Sequence, residues 1–527
     1  MPAEKHEVVV IGGGQNGLIV AGYLAKAGVD VCVVEIKDKV GGGAISEELT
    51  LPGFIHDPGA VMHGMISLNP VIRRDELGLA SKYGFNYFFA EKQFALIFPD
   101  DRALIFYLDI DKTCESISQF SQHDAEAYRN FHKSTMDMLK VASVAGFSPP
   151  PAWGAMMSLF DSSEEGREFL RVIMSSAVEI AEDWFESDQV KIALTRFASE
   201  VMVAPQEKGT GQAMFFIGSL HARGWGLPIG GSGALTDALA AQIKDNGGTI
   251  KVSSQVKSVK IEGGEAKGVI LESGDEILAT KAVVANVNVK QLFLDMLKPE
   301  ELPAGLPDRV RRVRHATYSA INQGLALNEP PKFTSGEDMN DVFHVEWAPY
   351  PMENFLRSFE EYNYGICNFG TPTLVTATVF DPSRAPEGKH TGWLYHYAPY
   401  NLKDGGPSKW DEVKQEVADG VLATVRRHTT NMGDDNILGR WIQSPLDMER
   451  RFPSMLHGDL GHIAQFITQW FACRPLPGLG QYRTPIGKLY LSGAGTHPGL
   501  GVSGGGRATV QVIMEDLGID FRAVAKK

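Results

Sequence analysis

Residues 8–17, VVVIGGGQNG, constrain this chain more than any other stretch. An apolar β-run from Glu7 to Ile11 meets a glycine loop, and a helical pattern follows with Leu18, Ala21 and Ala25 on one face and Gly28 as its stop. A second apolar run, VDVCVVE, ends in the acid Glu35. Strand, helix and strand in this order predict a β-α-β unit, and so a parallel sheet. The loop reads G-x-G-x-x-G. Gly12 serves the tight turn, Gly14 lets a pyrophosphate approach the backbone, and Gly17 lets helix and strand pack closely. Gln15 and Asn16 fill the variable positions, where the N–H groups of a helix N-terminus attract an anion. Glu35 stands at the spacing that accepts hydrogen bonds from a ribose diol, which disfavours a 2′-phosphate there.

A chain of 527 residues is too long for one such unit alone. The α/β pattern returns at Leu227, where a glycine loop and helix (PIGGSGALTDALAAQIKDNGG) precede a β-meander with turns at Gly263-Gly264 and Ser273-Gly274. It returns again at the C-terminus, in LYLSGAGTHPGLGVSGGGRA. Between these pieces, Ser116–Ala145 and Glu164–Glu200 read as helical, and Arg309 to Arg483 is a mixed, aromatic-rich block. The expected fold class is α/β: a Rossmann-type domain built from three segments, 1–75, 225–300 and 484–527. An α+β domain is inserted in two blocks, 76–224 and 301–483.

A net charge of −14 argues against nucleic acid as the main partner. The four cysteines form no C-x-x-C pair, so neither a metal site nor a redox dithiol is expected. No signal-peptide layout and no apolar run of about 18 residues is present, so a cytoplasmic protein is expected. Peripheral membrane attachment and homo-oligomerisation stay open.

Three further motifs carry a resemblance. VGGGAISEE follows Glu35 and contains Gly41, Gly42, Gly43 and Ala44; TIKVSSQVKSV contains Val256; the C-terminal stretch contains Gly495, Gly501, Val502 and Ser503. With LPGFIHDPGAVMH, GWGLPIGGSGAL and MLHGDLGHIAQFITQWFACRPLPGLGQYRTP, they make the chain resemble the FAD-dependent phytoene desaturase/amine oxidase superfamily, in particular its pyridine nucleotide-disulfide oxidoreductase domain-containing protein 2-like branch. Gly43 and Ala44 stand where many members carry Arg, a departure that suits the desaturase-like side. The resemblance implies FAD as cofactor. It places Gly41–Ala44 close to it, the Val256 backbone beside the adenine, and a helix starting around 501–505 with its N–H groups toward the flavin's N1 and O2.

The implied reaction is a dehydrogenation or desaturation: hydride leaves a substrate C–H bond for flavin N5 and a neighbouring proton is lost. Oxygen, a quinone or another carrier would take the electrons. Trp153, Phe215, Phe216, Trp225, Trp347 and Trp393 suggest a cavity for an apolar or alicyclic substrate. His497 and His63 lie inside family-like motifs and are the candidate proton handlers, with packing beside flavin or backbone as the alternative for each. Tyr362 and Tyr364 in EYNYG, and Tyr395 and Tyr397 in WLYHY, are either bases or one face of a sheet. Arg507 is either a pyrophosphate ligand or a surface residue. The competing activities are an amine oxidase using oxygen and a redox-neutral isomerase. A binding protein like the GDP-dissociation inhibitors is the competing class, and the intact glycine set with Glu35 argues against it.

Overall fold

The computed structural model describes residues 4–502 and 504–526, without the side chains of 142 and 144. Strand β1 (Glu4–Ile11) enters the glycine loop, helix α1 (Gln15–Lys26) leaves it, and β2 (Val31–Val34) pairs parallel to β1 with Val8 opposite Val31 and Ile11 opposite Val34. Strand β3 (Thr249–Lys251) lies parallel outside β2. Strands β4 (Val256–Glu262), β5 (Glu265–Leu271) and β6 (Glu276–Ala285) form an antiparallel meander, and β6 returns parallel to β1. The C-terminal half of β6 also pairs parallel with β7 (Leu489–Leu491). One sheet thus draws strands from three distant parts of the chain, and its parallel strands all end at one edge.

Successive β1 residues explain why this sheet is covered on both sides. Val8 and Val10 pack into a core with α1, helix α3 (Ser232–Asp245) and helix α4 (Gly505–Asp516), while Val9 and Ile11 join a separate core on the opposite face. A run apolar on both faces buries itself in this way.

A second seven-stranded sheet has the order Ile437–Gln443, Ser319–Leu327, His390–Ala398, Pro372–Val375, His344–Trp347, Lys92–Ile97, Ala103–Tyr107. One face carries the helix Trp410–Arg427. The other carries the helical block that includes α2 (Gln122–Ala145) and the helix Asp188–Ala198. The hairpin Lys92–Tyr107, where the sequence reading assigns no element, joins this sheet; residues Phe94–Ile97 of its first strand are apolar on both faces and show no alternation. One reading is corrected here. EYNYG is not a strand but the end of the helix Met352–Asn363. Among the described residues, no helix is long and apolar enough to cross a membrane.

Candidate active site

A cavity of about 830 Å³ opens where the parallel strands of the first sheet end and continues to the second sheet. Its size is that of a site for a cofactor or large ligand. Gly12, Gly14, Gln15, Asn16 and Glu35 line its first end. Gly12 has φ +89°, and a Cβ there would lie 2.8 Å from the Asn286 carbonyl oxygen. Gly17 does not line the cavity; a Cβ on it would overlap the Gly12 carbonyl, so its absence lets α1 sit against β1. Helix α1 has no side-chain cap and no acid in its first turn. Its N-terminal N–H groups therefore remain for an anion. Glu35 is buried; one oxygen accepts from the Gly13 N–H at 2.7 Å and the other from the Lys37 N–H at 2.9 Å. Each carboxylate oxygen keeps a further lone pair for a hydroxyl donor.

Gly42, Gly43 and Ala44 line the middle of the cavity, and Val256 lines it at the start of β4. Gly41 does not. Its N–H donates to the Gly13 carbonyl at 2.8 Å and it bridges to Gly14, so it joins the two glycine motifs. Its φ of +138° and the tight contact a Cβ would make with Ile45 explain why glycine stands there. From the C-terminal motif, Gly493, Ala494, Gly501 and Val502 line the wall, whereas Gly495 sits behind it. Ser503 lies outside the described residues. Helix α4 starts at Gly505, and its Gly506 N–H donates to Asn16 Oδ1 at 2.9 Å, tying the two helix N-termini together.

The two histidines part company. His497 lines the cavity and its ring lies over Phe471 at 5.7 Å. Its Nε2 lies 2.8 Å from the Ala145 carbonyl, which accepts only, so the proton is assigned to Nε2 and Nδ1 is left as an acceptor. Burial pushes its pKa down to about 4, so the ring is neutral near pH 7. His63 is not a lining residue: Nδ1 pairs with the Tyr87 hydroxyl at 2.7 Å and Nε2 with Ser232 Oγ at 2.9 Å. With both nitrogens committed and its pKa pushed by burial down to about 3, His63 holds the wall from behind rather than handling protons.

Four of the six flagged aromatics, Phe215, Phe216, Trp225 and Trp393, line the far end. Trp347 is buried on the other face of the second sheet, and Trp153 is exposed and does not line the cavity. Tyr395 lines it, stacked on Trp393 at 5.0 Å. Tyr362 is tied to Asn368 and Thr371, and Tyr364 is 71% exposed. Arg507 is neither a surface residue nor placed for a pyrophosphate. It is buried, with Nε and Nη2 on the Glu76 carboxylate at 2.7 and 2.9 Å and Nη1 on the Phe147 carbonyl at 2.8 Å. No metal was expected. Glu4, His6 and Cys32 do bring ligand atoms within 4.8 Å of one another, but burial raises the Cys32 thiol to about 12 and His6 already pairs with Asp30 and Glu4.

Residue-by-residue reading missed several groups. Arg474 is fully buried and donates only to backbone carbonyls: Thr496 from Nε at 3.1 Å, Ala464 and Gln469 from Nη1, and Gly461, Ile463 and Ala494 from Nη2. It fastens segment 461–474 to the C-terminal glycine loop. His462 lines the cavity beside Gly493 with a buried Nδ1 that has no partner among the described residues. Arg384 joins Asp57 at 2.5 Å and Asp381 at 2.9 Å; Asp57 in turn accepts from Ser46 and the Ser232 N–H, and Asp381 from the Gly230 N–H. This network holds three of the family-like motifs together. Asp57, Arg474 and His462 all lie inside those motifs, but nothing local in the sequence distinguishes a clamp from a ligand.

The residues fit FAD. The uncapped α1 N-terminus suits its pyrophosphate, the enclosed Glu35 its ribose, and Gln15 Oε1 and His462 Nδ1, unpartnered among the described residues, offer further hydrogen bonds. The family described as flavin containing amine oxidoreductase matches residues 17–508. A rat protein, pyridine nucleotide-disulfide oxidoreductase domain-containing protein 2, is 29% identical over 97% of this chain and 94% of its own length. A limonene dehydrogenase polypeptide of Castellaniella defragrans is 26% identical over 98% of this chain and 95% of its own. The fold matches that of cyclohexylamine oxidase from Brevibacterium oxydans with a TM-score of 0.60 at 15% identity, covering 98% of this chain and all of that one. FAD is the cofactor, the chain is a flavin-dependent oxidoreductase, and it belongs to the flavin containing amine oxidoreductase family.

Proposed function

We propose that the protein is a dehydrogenase or desaturase that oxidises a C–H bond of an apolar or alicyclic substrate. One observation carries this: the glycine loops and Glu35 open into the same cavity whose far end is walled by Phe215, Trp225, Trp393 and Tyr395. When bound, FAD supplies the two-electron acceptor for a hydride. The chain's own residues do the rest. Gly12, Gly14, Gln15 and the α1 N-terminus hold the pyrophosphate, Glu35 the ribose and the Val256 backbone the adenine side. Gly42–Ala44 and Gly501–Val502 line the path between this end and the aromatic wall. Segments 1–75, 225–300 and 484–527 form the FAD-binding unit. Segments 76–224 and 301–483 form the substrate unit, whose aromatic wall excludes water and orients an apolar skeleton. The neutral His497 contributes shape and an acceptor nitrogen. Oxygen, a quinone or another carrier removes the electrons afterwards.

Anaerobic loss of flavin absorbance on adding limonene, phytoene in detergent, or cyclohexylamine tests this. Bleaching by a terpene and not by the amine is expected. Bleaching by the amine alone, with peroxide released on admitting air, would assign the protein to the amine oxidases instead.

A further inference from the structure

The substrate end of the cavity holds a carboxyl group that cofactor binding does not use. Glu200 stands in the turn Ser199–Val201, directly after the helix Asp188–Ala198, and lines the cavity among Phe197, Val201 and Tyr395. Its side chain is 18% exposed. Oε1 accepts from Arg196 Nη1 at 2.8 Å and from the Tyr397 hydroxyl at 2.7 Å. The Glu200 carboxyl also shares a hydrogen bond with the Glu346 carboxyl, while Oε2 accepts no N–H or O–H from any described residue. Oε1 is therefore anchored, in a residue that lines the cavity.

The surroundings decide how this carboxyl titrates. Arg196 is fully buried, and its Nη1 also lies 3.2 Å from Oε1 of the fully buried Glu346. His344 Nε2 is 2.9 Å from the same Glu346 oxygen. Arg196 comes from the preceding helix, Glu346 and His344 from the strand His344–Trp347, Tyr395 and Tyr397 from the strand His390–Ala398, and Tyr318 from the residue before Ser319–Leu327. One guanidinium thus faces two carboxyls. Burial works against the charge on Glu346, but the Arg196 and His344 beside it more than offset this and lower its pKa. At Glu200 burial prevails over the attraction of Arg196, the Glu346 charge adds to it, and the pKa is raised. A carboxyl tuned upward toward neutrality is a stronger base than an exposed one.

We propose that Glu200 is the acid–base group of this cavity, and that its Oε2 takes the proton lost from the substrate carbon next to the C–H bond being oxidised. The proposal rests on the dehydrogenase reading above. One substrate C–H bond breaks with its electron pair, and the hydride goes to the bound FAD, which is the oxidant. The neighbouring C–H bond breaks with its pair closing the C=C bond, and the proton ends on Oε2. Arg196 and Tyr397 are positioning residues, which aim that oxygen by fixing the other.

The test uses FAD-loaded protein and two readouts. N,N′-Dicyclohexylcarbodiimide modifies protonated carboxyls in apolar surroundings, and peptide mass spectrometry locates the adduct. An adduct on Glu200 is expected, with a yield that falls as pH rises and that vanishes in Glu200→Gln. In anaerobic bleaching by the terpene probes, Glu200→Gln should slow flavin reduction by about 100-fold at unchanged FAD content. Glu200→Asp should recover part of the rate, and Tyr397→Phe should shift its pH profile. The proposal is overturned if Glu200 takes no adduct at any pH, or if Glu200→Gln reduces flavin at the wild-type rate. It is equally overturned if the Gln and Asp variants both lose FAD while the pH profile stays put, since that marks a purely structural carboxyl. If no terpene bleaches the flavin, the dehydrogenase reading fails and the labelling alone decides on Glu200.

Discussion

A methyl group at Gly14 and one at Gly17 have different consequences, although both glycines belong to one motif. At Gly17 the new Cβ overlaps the Gly12 carbonyl and crowds the Asn286 side chain. Gly17→Ala should therefore cost about 1–3 kcal/mol of stability, read as a lower midpoint in denaturant with or without FAD. At Gly14 the nearest atom is Asn286 Nδ2 at 3.2 Å, a side chain that needs to move only slightly. Gly14→Ala should leave the apoprotein's midpoint within about 0.5 kcal/mol and weaken FAD at least tenfold, because the methyl occupies the pyrophosphate's approach. Both roles are readable from the motif, since the physics of each glycine depends only on the strand and helix beside it. Arg474 is the opposite case. Its six carbonyl partners lie between Gly461 and Thr496 and converge only in the folded chain. His63 marks the same limit: its motif suggests chemistry, but Tyr87 and Ser232, which occupy its nitrogens, come from elsewhere.

At the scale of elements, α4 is held at its first turn by Arg507. The Glu76 carboxylate that receives it also accepts from Tyr23 of α1, and the Phe147 carbonyl belongs to the segment just after α2. One guanidinium thus joins α1, α4 and the cavity's outer wall. Arg507→Ala leaves Glu76 buried beside the Tyr23 hydroxyl with only the largely exposed Arg74, 3.9 Å away, as a cation. A loss of about 3–5 kcal/mol is expected, and limited proteolysis should cut first in the 146–152 loop. The elements of the first sheet are readable because glycine loops and apolar runs mark their ends. The hairpin Lys92–Tyr107 is not, because a strand buried on both faces has the composition of a buried helix. EYNYG shows the converse, since tyrosines spaced two apart fit a strand locally while the face made by Phe355, Phe359 and Tyr362 fits a helix.

The whole molecule carries a pH dependence that no single motif reveals. Burial holds His56, His221, His462 and His497 at about 4, and His63 and His396 at about 3. The unfolded chain binds these protons near pH 6.5, the folded chain only well below it. Between those values the unfolded state carries more protons, so stability rises with pH and falls on acidification. Each such group costs on the order of 1 kcal/mol at about pH 5.5, so thermal melts should drop steadily from pH 7 to pH 5. A midpoint that is flat across this range would show that these rings are charged in the folded protein.

The same whole-molecule view holds the central claim, that loops from opposite ends of the chain build one FAD site that opens into an aromatic substrate cavity. Fluorescence titration of FAD-stripped protein with FAD, in the wild type and in Gly14→Val, tests it most directly. Saturation at one FAD per chain is expected in the wild type, with binding abolished in Gly14→Val while its far-ultraviolet circular dichroism is unchanged. Equal FAD binding by the two proteins, or none by either, would contradict it.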